Sequence, residues 1–295
     1  MRVLTLLLAL VVAPTVSFAD MAQHTEVCVA ESEQDITALF DRWNESLKTG
    51  DPYKVVANYA SKSVLLPTAS SKPRFTVEEK ADYFQHFLEN QPVGRIDSRT
   101  IELDCNLAID EGLYSFTFQK TGVTMKARYS FTYKWNGMKW LITSHHSSKL
   151  PAEQAPLEEP VHAVARHSEV CVAASEKEIE ALLDRWKESL QSGNAHKVMT
   201  HYAAKSVLLP LSSTKPRLTL DDKEDYFRHF LRDRPSVQVQ SRTIELDCNT
   251  AIDEGLYTVT FQKTGNIVKA RYSMVYKWDG LQWLIASDHS SIYPQ

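Results

Sequence analysis

The sequence predicts an α+β protein built from two tandem copies of one domain, each a curved antiparallel sheet wrapped on about three helices. Three observations carry this reading: a repeat at a constant offset, a helical period in the first half of each repeat, and a period of two in the second half. Cys28, Trp43, Arg74, Arg99, Cys105, Arg128, Trp140 and His146 recur as Cys171, Trp186, Arg217, Arg242, Cys248, Arg271, Trp283 and His289, each pair 143 residues apart. An offset without insertions makes each copy, about 26–149 and 169–292, a complete folding unit rather than a solenoid repeat. Between them, the run from Pro151 to Pro160 is rich in proline and charge, which marks residues 150–168 as an exposed linker.

Ahead of the first copy, the positive Met1-Arg2, the apolar stretch from Val3 to Ala13 and the small residues Ser17 and Ala19 read as a signal peptide over residues 1–19. Cleavage near Ala19 predicts a secreted or periplasmic protein. The apolar stretch is too short to cross a bilayer and no later segment supplies about 20 apolar residues, so no membrane anchor is expected. The 295 residues are 43% hydrophobic with a formal net charge of -4, in mixed signs that favour neither a nucleic-acid backbone nor an anionic membrane.

Within a copy, Ser32 with Asp35, and Ser175 with Glu178, have the spacing of capping boxes that satisfy the free N–H groups of a helix start. Ile36, Leu39, Phe40, Trp43 and Leu47 follow on one helical face, and Gly50 stands where the helix stops. A second short helix is predicted at Asp51-Pro52. A third begins at Thr76, with Glu79 behind it, and carries Tyr83, Phe84, Phe87 and Leu88 toward Pro92. The pattern then alternates: Arg99 to Ile109 places Ile101, Leu103, Cys105, Leu107 and Ile109 on one side, as in a single long strand. Leu113–Gln119, Lys126–Trp135 and Lys139–Ser147 continue the meander, with Thr121-Gly122 and Asn136-Gly137 at hairpin positions.

Each copy has one cysteine before the first helix and one in the first long strand. In an exported chain Cys28–Cys105 and Cys171–Cys248 are the natural disulfide pairs, each closing about 77 residues and worth about 4 kcal/mol by the chain-entropy model. Buried free thiols and a metal site are the alternatives, although the spacing lacks any C-x-x-C and predicts no metal. No phosphate loop, nucleophile elbow or other cofactor motif is present, so no cofactor is predicted.

Three residues in each copy are candidates for function. Arg99 and Arg242 lie on the apolar side of a strand, where an arginine either lines an anion pocket or pairs with a helix carboxylate such as Asp41 or Glu45. Arg128 and Arg271 share a strand face with Ser130 and Thr132 and their counterparts, a polar strip suited to a ligand or to water. By alternation His146 and His289 stand on the side of Trp140 and Ile142, facing the mouth of the domain as candidate general bases or as structural residues. Asp288 and His289, being adjacent, point to opposite faces and do not form a dyad.

The string from Ile36 to Asp51, followed by Val55–Ala60 and Val64–Pro67, resembles the opening of the nuclear transport factor 2-like superfamily, in its SnoaL-like branch. The closing run Ala127–Tyr133, Gly137–Ile142 and His145–Ser148 is similar to the association (hub) domain of calcium/calmodulin-dependent protein kinase II and its bacterial relatives. That resemblance implies a cone of sheet around a pocket, a tendency to dimerise through the sheet, and an arginine-lined pocket that takes a small carboxylate. Arg128 and Arg271 match the family's strand arginine, His146 and His289 its late histidine. No kinase domain lies in the sequence, so kinase activity does not come with the family name. The expected function is a non-catalytic pocket protein that binds a small organic anion or serves as a dimerisation module. The alternative is an enzyme of the SnoaL or ketosteroid isomerase type acting on a small carbonyl compound. A tandem chain favours an internal pseudo-dimer, open to further homo-oligomerisation.

Overall fold

The computed structural model describes residues 25–29, 31–150 and 168–294; the expected leader over 1–19 and the linker from 151 to 167 lie outside them. The first copy runs β1 (Thr25–Val27), α1 (Glu33–Lys48), α2 (Pro52–Val56), β2 (Tyr59–Leu66), α3 (Val77–Leu88), β3 (Pro92–Asp104), β4 (Leu107–Phe118), β5 (Val123–Trp135) and β6 (Trp140–Lys149). The second runs β7 (Ser168–Val170), α4 (Glu176–Gln191), α5 (Ala195–Met199), β8 (Tyr202–Leu209), α6 (Leu220–Phe230) with a 3-10 turn at Leu231–Asp233, β9 (Pro235–Asp247), β10 (Thr250–Phe261), β11 (Ile267–Trp278) and β12 (Trp283–Ile292).

The helix starts fall where the capping residues put them. Ser32, Thr76 and Ser175 cap α1, α3 and α4 with complete capping boxes, and Asp51 caps α2 ahead of Pro52. Gly50 ends the α1 segment at φ 69°, a left-handed conformation that favours glycine. Ile36, Phe40, Trp43 and Leu47 bury one face of α1, and Asn44 on its flank bonds both the N–H and the carbonyl of Gly94, fixing the helix to β3.

Each sheet has five strands, in the order β2-β6-β5-β4-β3 and β8-β12-β11-β10-β9. Two features differ from the antiparallel meander predicted by alternation. First, β2 and β8 join the sheets in parallel with β6 and β12. Their inner ends, Ser63–Leu66 and Ser206–Leu209, are buried at every residue, so no alternation marks them as strands. Second, the expected single strand over 99–109 is two strands. The chain turns at Cys105-Asn106, with Asn106 at φ 56°, and pairs Leu103 with Ala108 and Asp104 with Leu107. The turn reverses the phase. Ile101 and Leu103 pack on their own helices, whereas Leu107 and Ile109 face the other copy.

The turn is also the anchor of the N-terminal arm. Cys28 and Cys105 form a disulfide, as do Cys171 and Cys248. Beside the first, Asn106 accepts the Val29 N–H at 2.9 Å and donates to the Val27 carbonyl at 3.0 Å, and Asn249 repeats both contacts with Val172 and Val170. The two arms then pair with each other, since β1 and β7 form an antiparallel ladder from Thr25↔Val170 to Val27↔Ser168. Two disulfides suit an oxidising, extracytoplasmic environment. Among the described residues no helix is long and apolar enough to cross a membrane.

Candidate functional site

A one-residue bulge decides which side chains reach the site. In β6, Ile142 pairs with Tyr133 but Ser144 pairs with Thr132, leaving Thr143 extra; in β12 the extra residue is Ala286. Side chains beyond the bulge therefore lie on the opposite face from strict alternation. His145, not His146, turns into its own domain, where its ring lies 4.0 Å from Phe131 and 5.5 Å from Trp43. His146 turns outward. The structure thus corrects the expectation that His146 and His289 look into the mouth of the cone.

Outward means toward the other copy. The rings of His146 and His289 are fully buried and stack on each other, with centroids 3.7 Å apart and planes 13° off parallel. His146 Nε2 lies 2.7 Å from Ser291 Oγ, and His289 is held through both ring nitrogens by Ser130 at 3.1 Å and Ser148 at 3.0 Å. Burial, then the neighbouring imidazole or guanidinium groups, pushes both histidines well below their usual pKa, so the stack is neutral.

Arg128 and Arg271 lie near this stack and are each spent on the opposite copy. Arg128 donates to the carbonyls of Pro210 at 2.5 Å, Ser213 at 3.2 Å and Ser290 at 3.1 Å, all in the second copy. Arg271 donates to those of Pro67 at 2.6 Å, Ser70 at 3.3 Å and Ser147 at 3.0 Å, all in the first. Each arginine is 1% exposed, and burial lowers both to about 10, still protonated at neutral pH. The polar strip predicted beside them is the contact surface of the two sheets.

Further groups complete that surface. Ser144 donates to Glu254 at 2.7 Å and Ser287 to Glu111 at 2.8 Å, again across the copies. Burial raises Glu254 to about 8, which makes it a protonated acid near neutral pH, and pushes Glu111 well above its ordinary value in the same direction. Lys134 reaches Glu245 and Asp247, and Lys277 reaches Glu102 and Asp104, closing both ends with ion pairs of 2.7–3.0 Å. Leu107, Ile109, Ile252, Val275 and Ala286 make its apolar centre. Neither the carboxylic acids nor the apolar centre was marked in the sequence; the pairing Glu111/Glu254 in the middle of a strand was the one available signal.

Arg99 and Arg242 lie elsewhere, inside each cone. Arg99 Nε donates to Asp110 at 2.9 Å and its guanidinium lies 5.7 Å over the Phe40 ring, while Tyr129 donates to the same carboxylate oxygen at 2.8 Å. Arg242 repeats this with Asp253 and Tyr272 and adds Glu180 of α4 at 3.7 Å. The main ion partner in each copy is thus a strand aspartate, and at Arg99 it is not Asp41 or Glu45, while Arg242 also reaches a helix carboxylate in Glu180. Among the described residues no group of three His, Cys, Asp or Glu is placed to hold a metal ion.

These features define a class: an α+β cone of the nuclear transport factor 2-like kind, whose outer sheet face is built for association. The family model described as the calcium/calmodulin dependent protein kinase II association domain matches residues 32–151 and again 175–294. The chain therefore belongs to the calcium/calmodulin-dependent protein kinase II association-domain family, in tandem. Among solved structures it is similar to one described as such an association domain from Xanthomonas campestris, 41% identical over 44% of this chain and 99% of that one, with a TM-score of 0.40. An NTF2-like protein from Pseudomonas putida is 16% identical over 39% of this chain and 84% of that one, TM-score 0.37. An association domain from Thiobacillus denitrificans is 13% identical over 38% and 93%, TM-score 0.33. No curated protein sequence matches.

Proposed function

We propose that the chain is an exported, non-catalytic assembly module in which two association-type domains serve as each other's partner, so that one polypeptide does the work of a dimer. The reciprocal burial of Arg128 and Arg271, each donating to three carbonyls of the opposite copy, carries the reading. Such bonds to a charged donor are worth about 1.5–3 kcal/mol each and leave buried carbonyls unpaired when broken. An anion on either arginine would have to displace them. The leader-like start and the two disulfides support export into an oxidising compartment.

A specific protease site placed in the linker tests this. After cleavage the wild-type halves are expected to co-elute on size exclusion at low micromolar concentration, and the Arg128→Ala/Arg271→Ala halves to separate while keeping their circular dichroism. Cleaved wild-type halves that drift apart, or doubly substituted halves that stay together as firmly, would sink the proposal.

A further inference from the structure

On the second copy, away from the contact between the sheets, a groove of about 410 Å³ opens between α4, the α5–β8 junction and the β11–β12 hairpin. Arg185, Thr200, His201 and Gln282 line it together with the indoles of Trp278 and Trp283. In the first copy the matching arginine is latched down. Arg42 Nε donates to Asn58 Oδ1 at 3.0 Å and Nη2 to the Trp140 carbonyl at 2.8 Å, while Asn58 Nδ2 donates to the Lys54 and Val55 carbonyls at 3.3 and 3.0 Å. His201 stands in place of Asn58 and offers no amide to hold the arginine. Among the described residues the Arg185 guanidinium has no hydrogen bond or ion pair. Gln282 replaces Lys139 and Thr200 replaces Ala57, which exchanges a cation for neutral hydrogen-bonding groups.

We propose that this groove binds a small aromatic carboxylate. The unlatched guanidinium offers a planar fork that matches a carboxylate through two parallel bonds. The two indoles, 5.8 Å apart and 60° off parallel, offer an aromatic wall for a ring. The volume lies in the range of about 300–1,000 Å³ usual for small-molecule sites. Burial, with Arg185 and Lys197 nearby, lowers His201, so it acts as a neutral hydrogen-bonding group beside Arg185. The hairpin's own acid, Asp279, is occupied by the N–H groups of Leu281 and Gln282, each at 2.8 Å.

Calorimetric titration of the intact protein with benzoate, followed in parallel by tryptophan fluorescence, tests the site apart from the pairing of the halves. Saturable binding of one benzoate per chain is expected, with acetate and benzamide at least ten-fold weaker because each lacks one half of the recognition. Arg185→Gln should weaken benzoate at least ten-fold with an unchanged melting temperature. His201→Asn, which rebuilds the first copy's latch, should do the same without removing the charge. Absence of saturation by 10 mM benzoate, or a benzoate affinity unmoved by Arg185→Gln and His201→Asn, overturns the proposal.

Discussion

The interiors of the two cones answer one packing problem with different chemistry. In the first copy Tyr59 Oη meets His145 Nδ1 at 2.7 Å, with His145 wedged among Phe131 and Trp43. In the second, Tyr202 donates to Asp288 at 2.6 Å and accepts from Trp186 Nε1 at 3.2 Å. Among the described residues His145 Nε2, Trp43 Nε1 and Tyr133 Oη are buried without a hydrogen-bond partner, whereas in the second copy Trp186 bonds Tyr202 and Tyr276 bonds the sulfur of Met274, which stands where the first copy has Phe131. The outer faces, by contrast, keep Arg128/Arg271, His146/His289 and Glu111/Glu254 identical. The contact between the copies thus keeps its charged and titratable groups, although its apolar centre does not repeat: Val275, Ala286 and Leu107 stand where the other copy has Thr132, Thr143 and Thr250.

Removing one disulfide is expected to cause the largest change and to treat the halves alike. Cys28→Ser/Cys105→Ser and Cys171→Ser/Cys248→Ser each open a loop of sequence separation 77, at a cost of about 4 kcal/mol in denaturant melts. Unequal costs would show that one arm is anchored by its asparagine or the β1–β7 ladder more than by its bridge. Single substitutions Arg128→Ala and Arg271→Ala should follow, each costing about 3 kcal/mol because three carbonyls lose a charged donor. Here Arg271→Ala should be the milder: Arg128 Nε also donates to Ser148 at 3.2 Å, whereas Arg271 Nε has no partner among the described residues.

A change of pH should divide the halves. Burial lowers His145 to about 3, so its contribution is complete above the unfolded value near 6.5 and is lost as pH falls toward 3. Burial raises Asp288 to about 6, so its contribution is complete below the unfolded value near 4 and is lost as pH rises through 6. Between pH 7 and 5 the protection of β12 amides in the intact protein, corrected for intrinsic exchange, should rise relative to β6. The substitution His145→Asp should make β6 follow β12. A common response of both strands would refute this assignment.

The smallest effect concerns the apolar centre of the contact. Val275 and Ala286 of the second copy correspond to Thr132 and Thr143 of the first, and Leu107 of the first to Thr250 of the second. Val275→Thr buries a hydroxyl against Leu107 and Ile109 and should cost about 1–2 kcal/mol. Thr132→Val is expected to be nearly neutral, because Thr132 lies outside that cluster. Equal penalties in melting experiments would show that the cluster is more symmetric than its residues.

Local signals explain what the sequence revealed and what it concealed. Ser32, Thr76 and Asp51 announce their helices because a cap is a contact between residues two or three apart. The disulfide pairs were readable from cysteine count and compartment. The bulges at Thr143 and Ala286 have no such mark, and they reverse the facing of His146 and His289. Asn106 at the turn reverses Leu107 and Ile109 in the same way. Arg128, Ser130 and Thr132 read as a polar strip facing ligand or water, since a contact between residues some 80 to 160 apart leaves no local trace. Gly112 has a similar history: a Cβ there would meet the Ser98 carbonyl oxygen at 2.2 Å beside the β3 bulge, a constraint seen only once the strands are paired.

The unequal cluster around Val275 also bears on descent. In a dimer of identical subunits, any substitution near the symmetry axis is made twice at once, and a change good on one side is imposed on the other. Joining two copies in one reading frame removes that coupling. Position 275 carries valine where 132 carries threonine, and 107 carries leucine where 250 carries threonine. Within one chain each half of the contact can therefore change by itself, a freedom that a dimer of identical subunits does not have.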